Sequence, residues 1–181
     1  MKASACAALA LSLGISSAAL AAEPAAPAKT AAAAAPAAKP PSDREQIAAL
    51  EKDFAAAVGA KDVGKVMEAY AKKGLFVYDA VPPRAYVGWD AYKKDWESLF
   101  KEGFPGKIKF TLSDLVISTA GSMAYSHSIQ TIDAPGNPNP KVAVRVTDVY
   151  RKAGGKWLIV HEHVSVPVDL ATGKGDLLSK P

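Results

Sequence analysis

The sequence predicts an α+β domain in which helices come first and stay apart from a meandering antiparallel sheet. Three observations lead there. Apolar residues recur at helical spacing over 47–58 and again over 89–100. Beyond residue 108 they fall instead into strand-length runs. Those runs are joined by TAGS, APGNPNP and AGG, each rich in turn formers.

Taken in order, the chain opens with MKASACAALALSLGISSAALAA, which has one lysine, an apolar run and a small-residue exit at Ala19 and Ala21. This is the pattern of a secretory signal peptide over residues 1–22, and it implies an exported protein, in a bacterium a periplasmic one. Cys6 is the only cysteine and lies inside that leader, so the mature chain would carry neither a thiol nor a disulfide. Its domain must then be held by its own core or by a partner. No later segment approaches the roughly 20 continuous apolar residues of a membrane span. Residues 23–41, EPAAPAKTAAAAAPAAKPP, read as a disordered or extended linker, because Pro24, Pro27, Pro36, Pro40 and Pro41 oppose a helix through the alanines.

Residues 42–181 suffice for one domain with its own core. Setting aside Lys2, Lys29, Lys39 and Glu23 from the 22 basic and 18 acidic side chains leaves this part near neutrality, with its lysines scattered. That distribution argues against a nucleic-acid surface.

Ser42-Asp43-Arg44-Glu45 is a capping box, so a helix starts there, carries Ile47, Leu50, Phe54 and Val58 on one face, and stops at Gly59. Asp62 can cap a second helix with Val63, Val66, Met67 and Tyr70, ended by Gly74. LFVYD (75–79) and AYVG (85–88) read as short strands on either side of Pro82-Pro83. A third helix carries the stripe Trp89, Tyr92, Trp96, Leu99 and Phe100, with Gly103 after its end. Then come strands at IKFTL and DLVIS, MAYSHSIQTID, KVAVRVTDVYRK and KWLIVHEHVSVPV.

The segment HEHVS (161–165) is the densest chemistry in the chain. On a strand, Trp157, Ile159, His161, His163 and Ser165 point one way while Leu158, Val160, Glu162, Val164 and Val166 point the other. This excludes the zinc-protease pattern, which needs two histidines four apart on a helix with the glutamate between them. An H-x-H pair on a strand binds zinc only with a third ligand, and His127 is the sole spare histidine, so no metal and no cofactor is expected. Both faces of the last strand begin apolar. The helices can cover one, and a second subunit is the simplest cover for the other. A homodimer interface is therefore expected at Trp157, Ile159, His161 and His163, with the two imidazoles in structural hydrogen bonds.

TDVYRKAGGKWLIVHEHVS (147–165) closely resembles the terminal hairpin of the calcium/calmodulin-dependent protein kinase II association domain, within the SnoaL-like and nuclear transport factor 2-like superfamily. GWDAYKKDWESLF (88–100) and AYSHSIQTID (124–133) are also similar, and the element order agrees over 43–168. The resemblance implies a cone: a strongly curved sheet wrapped around the helices, enclosing a pocket, with dimers formed through the sheet's other face. In ketosteroid isomerase-like members an aspartate near the end of the first strand is a general base, and Asp79 is similar to it. In the association domains a helix histidine and several arginines line the pocket. The matching positions here are Tyr92, His127, Asp148 and Val164, so none of those arginines is present and a neutral or cationic ligand is implied.

The hairpin register decides which side chains enter such a pocket. A three-residue loop Ala153-Gly154-Gly155 sets Thr147 opposite His161 and Arg145 opposite His163, leaving Asp148 and Glu162 on the other face. A two-residue Gly154-Gly155 turn sets Asp148 opposite His161. The expected pocket comprises Tyr92, Trp96, Tyr125, His127, Asp148 and Glu162, with Asp79 at its mouth and Phe76 among the walls around it. Asp79 is a general base or a turn residue before Ala80. His127 is its polar partner or a satisfied core imidazole, and Tyr92 and Trp96 are pocket or core. Acids at inward strand positions are costly without a partner, which singles out Asp148 and Glu162. Two functions fit: a non-catalytic dimerising protein that binds a small molecule, or a cofactor-free proton-transfer enzyme acting on a small hydrophobic substrate.

If the leader is removed, intact-mass analysis of exported protein will show a chain beginning after Ala21 or Ala22. A mature species that still contains Cys6 would refute this.

Overall fold

The computed structural model describes residues 39–179; the expected leader and nearly all of the expected linker lie outside them. Helix α1 (Asp43–Ala60) begins as its sequence requires: Ser42 Oγ accepts from the Glu45 amide at 3.3 Å, and Glu45 Oε2 accepts from the Ser42 amide at 2.7 Å. Its buried face is Ile47, Glu51, Phe54, Ala57 and Val58. It stops at Lys61, which takes the left-handed conformation (φ 57°), rather than at Gly59. Lys61 Nζ donates to the Phe104 carbonyl at 2.6 Å, which ties the end of α1 to the segment after the third helix.

Helix α2 (Val63–Glu68) is capped by Asp62 and is shorter than expected. The backbone beyond it pairs with the last strand before Gly74 is reached: the Ile159 amide donates to Ala69 O at 2.9 Å and the Ala71 amide to Ile159 O at 2.8 Å. Strands β1 (Phe76–Tyr78) and β2 (Tyr86–Val87) follow, then α3 (Trp89–Ser98), which runs on into a π-helical turn, Leu99–Gly103. The two strands expected after residue 108 are one, β3 (Lys109–Ala120), irregular between Ser113 and Val116, where Asp114 has φ 54°. Strands β4 (Met123–Asp133), β5 (Lys141–Ala153) and β6 (Lys156–Ser165) complete a six-stranded sheet of order β2-β1-β6-β5-β4-β3. Every pairing is antiparallel except β1 with β6. The sheet is curved and unclosed, with the helices on its inner face. Among the described residues, no helix is long and apolar enough to cross a membrane.

The β5–β6 hairpin departs from both expected registers. Ala153 pairs with Lys156, so the turn is Gly154-Gly155, with φ 57° and 80° as a tight two-residue hairpin needs. That register holds through Tyr150↔Ile159 and then shifts: the next pair is Val149↔His161, with Val160 left over as a bulge. Beyond it Asp148 faces Glu162 and Thr147 faces His163, not His161.

The extra residue also switches faces. Trp157 and Ile159 point inward before the bulge, and Glu162 points inward after it. The expected interface of Trp157, Ile159, His161 and His163 on one face is therefore corrected. Trp157 and Ile159 belong to the core with Phe54, Met67 and Tyr70, and only His161 and His163 lie on the outer face. Trp157 Nε1 donates to Asp43 Oδ1 at 3.1 Å, closing the core against the start of α1.

Ile159 is 1% exposed and its backbone holds the segment after α2. Truncation to alanine should cost about 2–4 kcal/mol of folding stability, read as a lowered urea midpoint. A change below about 1 kcal/mol would contradict the inward placement.

Candidate ligand site

Between α3, the inner face of β4–β6 and the segment after β6 lies a cavity of about 480 Å³. Its walls are largely apolar: Trp96 and Leu99 from α3 and its π turn, Phe110 from β3, Val144 from β5, Val164 from β6 and Leu177 from the C-terminal segment. Leu177 is held in place because its carbonyl accepts from the Ala143 amide at 2.8 Å. Carboxyl groups interrupt these walls at Asp79, Asp95, Glu102 and Glu162, and no lysine, arginine or histidine lines the cavity.

Glu162 is 3% exposed and sits where β1 and β5 flank β6, opposite Val77 on one side and Asp148 on the other. Tyr70 donates to its Oε2 at 2.7 Å and Tyr92 to its Oε1 at 2.5 Å. The Tyr92 hydroxyl also lies 3.2 Å from Asp79 Oδ2. A phenol has one proton, so both of its contacts are satisfied only when one of the two carboxyls carries another. Asp79 Oδ1 meanwhile accepts from the Val81 amide at 3.1 Å, so this residue is at once a turn former and a member of the site.

Behind Glu162 the acids continue into the core. Asp148, 1% exposed, hydrogen-bonds to Glu162 and leaves Oδ1 without a partner. Tyr150 donates to Glu51 Oε1 at 2.6 Å and shares a 2.7 Å bond with Ser126. Burial pushes Glu162 up to about 7. It pushes Asp148 well above the usual carboxylate range, with the negative charges of Glu162 and Glu51 adding to the rise. Glu51, Asp79 and Asp95 are also raised, chiefly by burial. Asp148 is the member of the Asp148–Glu162 pair that holds the proton and donates.

Of the expected pocket residues, the structure brings together Asp79, Tyr92, Trp96 and Glu162 on the cavity, with Asp148 directly behind them. Tyr125 and His127 are corrected: strand alternation in β4 turns Ala124, Ser126, Ser128 and Gln130 inward and leaves Tyr125 51% exposed on the outer face, with His127 beside it. His127 therefore reaches neither Asp79 nor a substrate in the cavity. Phe76 also turns outward, stacking on His161, whose Nδ1 is 2.8 Å from the Phe76 carbonyl. Among the described residues, no group of three or more His, Cys, Asp or Glu side chains is disposed to hold a metal ion. Sequence reasoning missed Glu51, Tyr70, Tyr150, Asp95 and Gln130. Glu51 had a legible signal, since it falls between Ile47 and Phe54 on the buried stripe of α1.

Carboxyls whose folded pKa is raised add stability that is fully present below their unfolded pKa and is lost as pH rises through the folded one. For Glu162 that window runs from about 4.5 to about 7 and amounts to roughly 3 kcal/mol. Thermal stability should therefore fall between pH 5 and pH 8. Asp148→Asn supplies the donor to Glu162 without needing a proton. The variant should match the wild type at pH 5 and exceed it at pH 8 by about 1–3 kcal/mol. Melting curves at the two pH values read this, and an Asn variant less stable at both would contradict it.

Comparison with known proteins places this geometry. Residues 47–169 match the family described as the SnoaL-like domain. A nuclear transport factor 2-like protein of unknown function from Pseudomonas putida is 29% identical, with TM-score 0.69 over 75% of this chain and 94% of that one. An uncharacterized protein with a cystatin-like fold from Caulobacter vibrioides is 19% identical, with TM-score 0.60 over 71% of this chain and 92% of that one. A candidate calcium/calmodulin-dependent protein kinase II association domain from Xanthomonas campestris is 24% identical, with TM-score 0.55 over 74% and 91%. No curated protein matches the chain. With its helices laid in a curved sheet and its family span covering most of the chain, the protein belongs to the SnoaL-like family of the nuclear transport factor 2-like fold.

Proposed function

We propose that the protein binds a small molecule in the cavity between α3 and the sheet. The observation that carries this reading is the cavity itself: about 480 Å³ of apolar-walled space ending on the Asp79–Tyr92–Glu162 cluster. Ligand pockets have this size range, about 300–1,000 Å³, and this mixture of apolar wall and few polar groups. A core that served the fold alone would gain by filling the space and removing the acids.

The reading includes export and pairing of two copies, both expected from the sequence. Pairing is supported by the outer sheet face, where Tyr78, Val116 and Tyr125 expose large apolar surfaces around His161 and His163. A second reading, proton transfer on a small hydrophobic substrate, is favoured by one observation: Asp79 is held by Tyr92 and raised by burial, as a general base requires.

Native mass spectrometry of purified protein should show a dimer with a retained small molecule, or a dimer that takes up members of a carbonyl and steroid-like panel that raise its melting temperature. Monomer only, with no compound shifting the melt, would overturn the proposal. With a turned-over compound in hand, Asp79→Asn should lower kcat by about 100-fold or more with little change in KM. Binding without turnover leaves the non-catalytic reading standing and removes the second.

A further inference from the structure

The polar chemistry of the cavity is one-sided, and this narrows what fits it. The chain has more basic than acidic side chains, 22 against 18, yet the cavity is lined by four carboxyl residues and no basic one. Asp79 and Glu162 meet at the Tyr92 hydroxyl, while Asp95, bonded by Tyr86, comes from the same helix as Tyr92. No salt bridge neutralises any of these four; the nearest pair on α3 is Lys93 with Glu97, which does not line the cavity. An anionic ligand would meet only like charge here, and a purely apolar one would leave the carboxyls desolvated without a partner.

A second observation is independent of the acids. Gln130 lines the cavity from β4, is 7% exposed, and its Nε2 has no hydrogen-bond partner. A buried amide donor without a partner is costly to the empty protein. It fits a ligand that brings an acceptor, such as a carbonyl or ether oxygen, to the β4 side.

We infer that the ligand is an amphiphilic cation: a compact apolar body of one or two rings, carrying a protonated amine that sits against Asp79 and Glu162 and a hydrogen-bond acceptor that reaches Gln130. This rests on the cavity being a ligand site. The ammonium supplies the positive charge that the lining lacks and donates to carboxylate oxygens in a water-poor site, where such bonds are strong. Trp96 and Tyr92 add aromatic surface beside it.

The test uses three matched triplets on phenyl, indolyl and naphthyl bodies, each as an ethylamine, the corresponding ethanol and the corresponding acetate, measured by calorimetry on the whole chain at pH 7.5. The amine should bind about tenfold or more tighter than the alcohol on the same body, and the acetate should be weakest. Asp79→Asn should bring the amine down to the level of the alcohol while leaving alcohol binding unchanged, and Gln130→Leu should weaken bodies that carry an added carbonyl more than those without. Circular dichroism of each variant separates lost binding from lost fold. Alcohols that bind as tightly as amines, or an Asp79→Asn effect equal across a triplet, would overturn the cation while sparing the pocket. Failure of every compound to bind folded wild type would overturn both.

Discussion

A single unpaired residue, Val160, governs how the rest of the domain is arranged. Without the bulge, strict alternation along β6 would keep Trp157, Ile159, His161 and His163 on one face, and either the core would lose its tryptophan and isoleucine or the pocket floor would be built from histidine. The bulge lets one strand serve two purposes. Its first half packs against α1 and the segment after α2. Its second half presents Glu162 and Val164 to the cavity and the imidazoles to the outside. The backbone of Ile159 pairs with Ala69 and Ala71 just before the bulge, so the chain after α2 helps to hold the strand where the switch occurs.

The electrostatics of the interior follow from that switch. Placing Glu162 inward beside Asp148, with Glu51 close behind, concentrates three acids where no cation reaches them. The molecule answers with phenols and protons instead of salt bridges. Tyr70, Tyr92 and Tyr150 donate, Asp148 retains its proton, and the network stays close to neutral in the absence of counter-charge. Such a network is a weak contributor to stability and a strong determinant of what can sit beside it.

Much of this was legible in the residues. The capping box at Ser42–Glu45, the stripe Tyr92–Trp96–Phe100 and the cost of acids on inward strand positions led directly to α1, α3 and the Asp148–Glu162 pair. The bulge was not legible, because Val160 is as good a strand residue as its neighbours and only the pairing partner shows it to be extra. Strand β4 misled for a different reason. Its inward positions are Ser126, Ser128 and Gln130, while its outward ones are Tyr125, His127 and Ile129, so polarity points to the wrong face. Small polar residues inside are explained by what they meet there: Ser126 bonds Tyr150, and Gln130 borders the cavity.

The family span ends at residue 169, yet Leu177 forms part of the cavity wall, pinned by the pairing of its carbonyl with Ala143 and preceded by the bridge between Val168 and Gly175. The site thus has two kinds of boundary. Its floor and helix side come from the shared scaffold, whereas one wall is an appendage folded back onto the sheet. Divergence in that appendage would reshape the chamber without disturbing the scaffold's folding, so specificity could drift quickly in a lineage while the acid floor stayed constant.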